Sequence, residues 1–133
     1  GEEEVDMRIH HVQVAIPEGG ESLARTFWVD ALGFREVPKP PAMAARGGCW
    51  FLVGADDEVT AEIHVGVERP FTPAAKAHPA LVVGSAAQLE HLGARLADRG
   101  FTVDWSQRHT VEGSERFHCF DPFGNRVEIL TGG

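Results

Sequence analysis

Residues 8–17 (RIHHVQVAIP) alternate: Val12, Val14 and Ile16 fall on one face, His11, Gln13 and Ala15 on the other. That period of two predicts a half-buried strand ended by Pro17. The next stretch, EGGESLARTFWVDALGF, carries Leu23, Phe27 and Leu32 near helical spacing, with Glu21 or Ser22 to cap it and Gly33 to stop it. It predicts one amphipathic helix. FREVP (34–38) reads as a short strand, KPPAMAARGG as a loop, and CWFLV (49–53) as a buried strand. AEIHVGV (61–67) alternates again, with Ile63, Val65 and Val67 inward and Glu62, His64 and Gly66 on the opposite face. Residues 8–67 thus form a βαβββ module.

The same order recurs after a proline-bearing linker over residues 68–77. HPALVVG (78–84) is a strand, SAAQLEHLGARLADRG a helix capped by Ser85 and stopped by glycine, and FTVDW, SERFHCFD and NRVEILT three further strands. DPFGN supplies the turn before the last of them. His11 and His78 stand 67 positions apart, as do Gly33 and Gly100, Phe34 and Phe101, and Trp50 and Phe117. A period of half the chain means two copies of one unit. The expected organisation is a single α+β domain over residues 8–131, built as module one (8–67), linker (68–77) and module two (78–131). An acidic leader over residues 1–7, GEEEVDM, is expected to be flexible.

Composition narrows the partners. The 133 residues, 43% of them hydrophobic, suffice for one sizeable core. A net charge of −8, with 12 Lys and Arg residues scattered and no basic run, argues against a nucleic acid or a membrane as partner. No apolar run approaches the length of a membrane span, and the acidic leader is unlike a signal peptide. Cys49 and Cys119 lie in apolar strands as small core residues, and a cytoplasmic location follows as the simplest expectation.

Candidate chemistry comes from strand parity. His11, His64 and His78 all fall opposite the apolar face of their strands. AEIHVGV aligns with NRVEILT after a loop shortened by three residues, which sets His64 opposite Glu128. Four ligand-type residues at equivalent positions of two copies predict a divalent metal site of His11, His64, His78 and Glu128, suited to Zn, Fe, Ni, Co or Mn. Arg46 is a candidate holder of an anionic substrate group, Lys76 and Arg69 are candidate guards of a cavity mouth, and Trp50, Phe51, Trp105, Phe120 and Phe123 candidate apolar walls. His118 is a further acid/base candidate, its repeat equivalent being Phe51 if Trp50 aligns with Phe117. His10, His91 and His109 receive no role.

These segments resemble the vicinal oxygen chelate superfamily of glyoxalases, bleomycin-resistance proteins and dioxygenases. HHVQVAIP, FWVDALGF, HPALVV and above all FDPFGNRVEIL carry the resemblance, which spans residues 8–131. It implies paired βαβββ modules forming an open eight-stranded cup around a divalent metal, commonly in a homodimer. By that resemblance His11 matches the first-strand ligand, His78 the ligand opening the second module and Glu128 the last-strand carboxylate. His64 takes the fourth-strand position, where bacterial glyoxalase I usually has glutamate. The implied function is a metal-dependent enzyme, a lyase, isomerase or dioxygenase, that binds two neighbouring oxygens of a small substrate, with Glu128 and His64 as catalytic groups. The alternative is an antibiotic-binding protein without catalysis, resembling bleomycin-resistance proteins.

Overall fold

The computed structural model describes residues 3–132. Two four-stranded mixed sheets carry few helices in an open, non-barrel arrangement. In the first half, β1 (Val12–Ile16), β2 (Arg35–Val37), β3 (Cys49–Val53) and β4 (Ala61–Val67) lie in the order β1-β4-β3-β2. In the second, β5 (Ala80–Val83), β6 (Val103–Asp104), β7 (Arg116–Phe120) and β8 (Arg126–Thr131) repeat it as β5-β8-β7-β6. In each half the first and last strands pair in parallel, β1 with β4 and β5 with β8. The helix between strands one and two supplies the long crossover that parallel pairing requires.

The first helix departs from the single α-helix expected. It begins as α1 (Glu21–Arg25) and widens into a π-helix over Thr26–Ala31, where the Leu32 N–H donates to the Phe27 carbonyl at 2.9 Å. The Thr26 hydroxyl donates to the Leu23 carbonyl at 2.6 Å, and such back-bonding competes with the backbone ladder and loosens the turn. Gly33, at φ 83°, ends the run in the left-handed conformation that glycine takes without strain. A short α2 (Pro41–Ala44) lies within the expected loop, Pro41 sitting at a first helical turn that needs no donor. In the second half, α3 (Ala86–Asp98) starts as expected, with the Ser85 hydroxyl accepting from the Gln88 N–H at 3.1 Å.

The strand registers correct one equivalence. Trp50 pairs with His64, and His118 pairs with Glu128. Trp50 therefore corresponds to His118, not to Phe117, and the connection before β7 is one residue longer than its counterpart. The parallel pairs Gln13 with His64 and Ala80 with Glu128 agree that His64 and Glu128 are equivalents.

The apolar faces build one core. Phe27, Trp28, Phe51, Phe117, Leu89 and Leu96 are all fully buried. The π-helix and α3 meet through the Arg95 guanidinium, which donates to the Ala31 carbonyl at 2.8 Å, and Phe27 packs on Phe101. The turn before β8 is fixed by Asp121, whose Oδ1 accepts the N–H groups of Phe123 and Asn125 at 2.9 and 2.8 Å. The Asn125 side-chain amide reaches the other half and donates to the Ala15 carbonyl at 2.8 Å. Of the acidic leader, positions 1–2 lie outside the described residues. Residues 3–11 form no regular element, and Val5, Met7 and Ile9 are exposed.

Candidate metal centre

Strand parity holds through both sheets, so side chains opposite the core collect on the open faces. In the first half His64 is only 7% exposed, between two neighbours. Its ring stacks on Trp50 at 4.3 Å and 6°, and on His11 at 3.9 Å and 15°. Its Nε2 meets the Glu62 carboxylate at 2.6 Å, an acceptor that only an Nε2–H can satisfy. His10 Nδ1 lies 2.9 Å from His11 Nδ1 and 4.0 Å from Glu62. Donor atoms of His10, His11 and Glu62 come within 4.8 Å of one another.

The second half makes a corresponding group from His78, His118 and Glu128, also within 4.8 Å. Glu128 Oε1 faces His78 Nε2 at 3.0 Å and His118 Nε2 at 3.5 Å. Its Oε2 faces the Arg116 guanidinium at 3.4 Å. His78 Nδ1 donates to the Lys76 carbonyl at 2.8 Å. With Nδ1–H held by that carbonyl, the neutral ring presents its Nε2 lone pair on the side of the Glu128 carboxylate, while the imidazolium donates a hydrogen bond to it from the same atom. Imidazoles that ligate metals are held by such a backbone acceptor on the far nitrogen. The donor set of this half therefore fits a divalent ion.

Burial and charge set the protonation states. Burial pushes the His64 imidazole below its ordinary value, against the opposing pull of Glu62. Burial does the same to His118, against Glu128. For Glu128, burial raises the carboxyl, but hydrogen bonds from His78 and Arg116 outweigh it and hold it below the usual range. Both imidazoles thus favour the neutral form that a ligand or a base requires, and Glu128 favours the carboxylate.

The four residues expected from the sequence fall in two groups: His11 and His64 on the first sheet, His78 and Glu128 on the second. His11 and His78 both line a cleft of about 390 Å³ where the modules meet. Glu62, His10 and His118 join the groups without having been assigned ligand roles from the sequence. Glu62 shares the parity of His64 two residues on, which was the available signal. His10 falls on the core parity of the pattern that leads into β1, so alternation pointed away from it.

Other candidates resolve differently. Arg69 pairs with Glu18 at 2.8 Å, and Arg46 is exposed on its loop. Trp105 packs on Phe117 under the Arg108 guanidinium, and Phe123 packs on Phe71. Burial pushes the Cys49 and Cys119 thiols up to about 12, which suits core residues and not nucleophiles. Among the described residues no helix is long and apolar enough to cross a membrane.

Comparison with known proteins accords with the fold. A protein from Bacillus anthracis assigned to the glyoxalase family is 39% identical, with TM-score 0.86 over 99% of this chain and 100% of that one. The fosfomycin resistance protein FosX from Listeria monocytogenes shares the fold at 12% identity and TM-score 0.69, over 97% of this chain and 94% of that one. TnmS3, an antibiotic binding protein from Streptomyces sp. CB03234, shares it at 22% identity and TM-score 0.63, over 96% and 99%. A search of curated proteins gave no match. The model of the Glyoxalase/Bleomycin resistance protein/Dioxygenase superfamily matches residues 8–129, and the chain belongs to that superfamily.

Proposed function

We propose that this chain is a divalent-metal enzyme acting on a small substrate with two neighbouring oxygens, and that it works as a homodimer. The His11 and His64 half of one protomer meets the His78 and Glu128 half of its partner around the ion. The observation that carries this reading is the convergence of donor atoms of His78, His118 and Glu128 within 4.8 Å of one another. Val82, an apolar side chain 65% exposed on the open-face parity of β5, favours assembly between chains. Two buried free thiols suit a reducing compartment, the cytoplasm.

A bound divalent ion supplies Lewis acidity to the paired oxygens of the substrate. The chain's own residues orient and move protons. The Lys76 carbonyl fixes the tautomer of His78, and Arg116 holds one oxygen of Glu128 so that the other faces the imidazoles. Glu128 accepts a proton at a carboxylate oxygen. His64, with Nε2–H held by Glu62, keeps Nδ1 free to take or return a proton.

Metal analysis of protein purified without chelators tests the reading. One first-row ion per chain is expected, lost in Glu128→Ala combined with His78→Ala. Methylglyoxal-glutathione isomerisation, catechol oxygen uptake and thiol transfer assays then sort the reaction. Absence of any metal, with tight binding of a cationic glycopeptide by the metal-free protein, sinks the reading in favour of drug sequestration.

A further inference from the structure

We infer that His118 is an additional metal ligand, so that the second module alone holds a divalent ion through His78, His118 and Glu128 before a partner completes the site. This rests on the metal reading above and adds to it an unassigned ligand and an order of assembly.

The register places His118 directly across from Glu128 on the same open face. Its Nε2 stands 3.5 Å from Glu128 Oε1, the oxygen that His78 Nε2 approaches at 3.0 Å. Two imidazole nitrogens and one carboxylate oxygen therefore converge, while Arg116 occupies the opposite oxygen at 3.4 Å and leaves Oε1 free to ligate. The His78 and His118 rings lie 5.7 Å apart at 73°, so their nitrogens approach from different directions. Two histidines and one carboxylate on one side of an ion leave the remaining positions open.

The repeat sharpens the assignment. The equivalent position in the first half is Trp50, which stacks on His64 and donates nothing to a metal. Packing at this place is met by an indole in one copy. A 7% exposed imidazole aimed at a carboxylate in the other copy is a different chemical choice. In the first half the buried imidazole, His64, is engaged through Nε2 by Glu62 at 2.6 Å and stacked between Trp50 and His11, while His10 and His11 are exposed before β1 begins. The second half is therefore where an ion docks first.

Cobalt(II) titration of the apoprotein, followed by calorimetry and visible absorption, tests this. His118→Ala should weaken Co²⁺ binding at least about tenfold, the scale of losing even an outer-shell partner, and alter the ligand-field bands. His91→Ala, on the exposed face of α3, should retain tight binding at one ion per chain. Proton NMR of the unsubstituted Co²⁺ protein should show hyperfine-shifted imidazole sets at the first equivalent that include those of His78 and His118. Unchanged affinity and bands in His118→Ala, or shifted resonances from His11 in place of His118, overturn the inference and leave the enzyme reading standing. No Co²⁺ binding by the unsubstituted protein overturns both.

Discussion

Gly48 holds a position that no other residue fits. Its φ is +86°, and a Cβ there would lie 2.2 Å from the Val65 carbonyl oxygen, a backbone atom that cannot swing away. It lets the chain enter β3 against β4, which aligns Trp50 over His64. Gly48→Ala should cost roughly 2–4 kcal/mol, as strain at a special backbone conformation does, read as a lowered denaturant midpoint. The same scale explains what the sequence could and could not disclose. Parity alone placed His11, His64, His78 and Glu128 on open faces, because each lies in or next to a regular strand. It missed the partnership of Glu62 with His64, which depends on side-chain reach. It mispaired Trp50, because one inserted residue in a loop shifts the register and leaves the local pattern intact.

At the scale of elements, the helix crossover of the first half is tied to its edge strand by charge. Arg25, the last residue of α1, donates to Glu36 on β2 at 2.6 and 3.2 Å. The bond from Arg25 holds the Glu36 carboxyl below its usual range, against a smaller opposing effect of burial. The folded state therefore binds this proton less readily than the unfolded chain does. The pair's contribution is fully present above the ordinary carboxylate value near 4.5 and is lost as pH falls through the depressed one. Glu36→Gln should flatten the acid limb of a stability-against-pH curve by lowering its neutral plateau, by less than about 1 kcal/mol since both groups are partly exposed and solvent screens them, and leave the acid end nearly unchanged. The strands around this tie were legible from alternation. The π-turn was not, because a hydroxyl competing for one carbonyl leaves no mark on apolar spacing.

At the scale of the molecule, the duplication predicts its own incompleteness. Each chain carries two unlike donor groups, and the proposed assembly makes the ion a link between protomers. Light scattering should give about 29 kDa, twice the 14.5 kDa chain, for the metal-loaded protein. Chelation should raise the dimer dissociation constant, because a ligand bound by the assembled state alone stabilises that state. A mass of one chain at micromolar concentration with metal bound would refute assembly across two copies. The overall plan of two βαβββ units was legible from a 67-residue period, because equal spacing survives divergence of side chains. The grouping of the donors was not, since parity fixes a face and leaves the distance between two sheets undetermined.

The amide of Asn125 gives this plan a mechanical side. It opens the strand that bears Glu128 three residues later, and it grips the Ala15 carbonyl four residues beyond His11. One partly buried hydrogen bond thus couples the strands carrying the two groups like a tie rod, so that displacing one strand loads the other. Asn125→Ala should cost about 1–3 kcal/mol in stability. It should also speed amide hydrogen exchange in β1 as well as in β8, the sign that the two halves share one load.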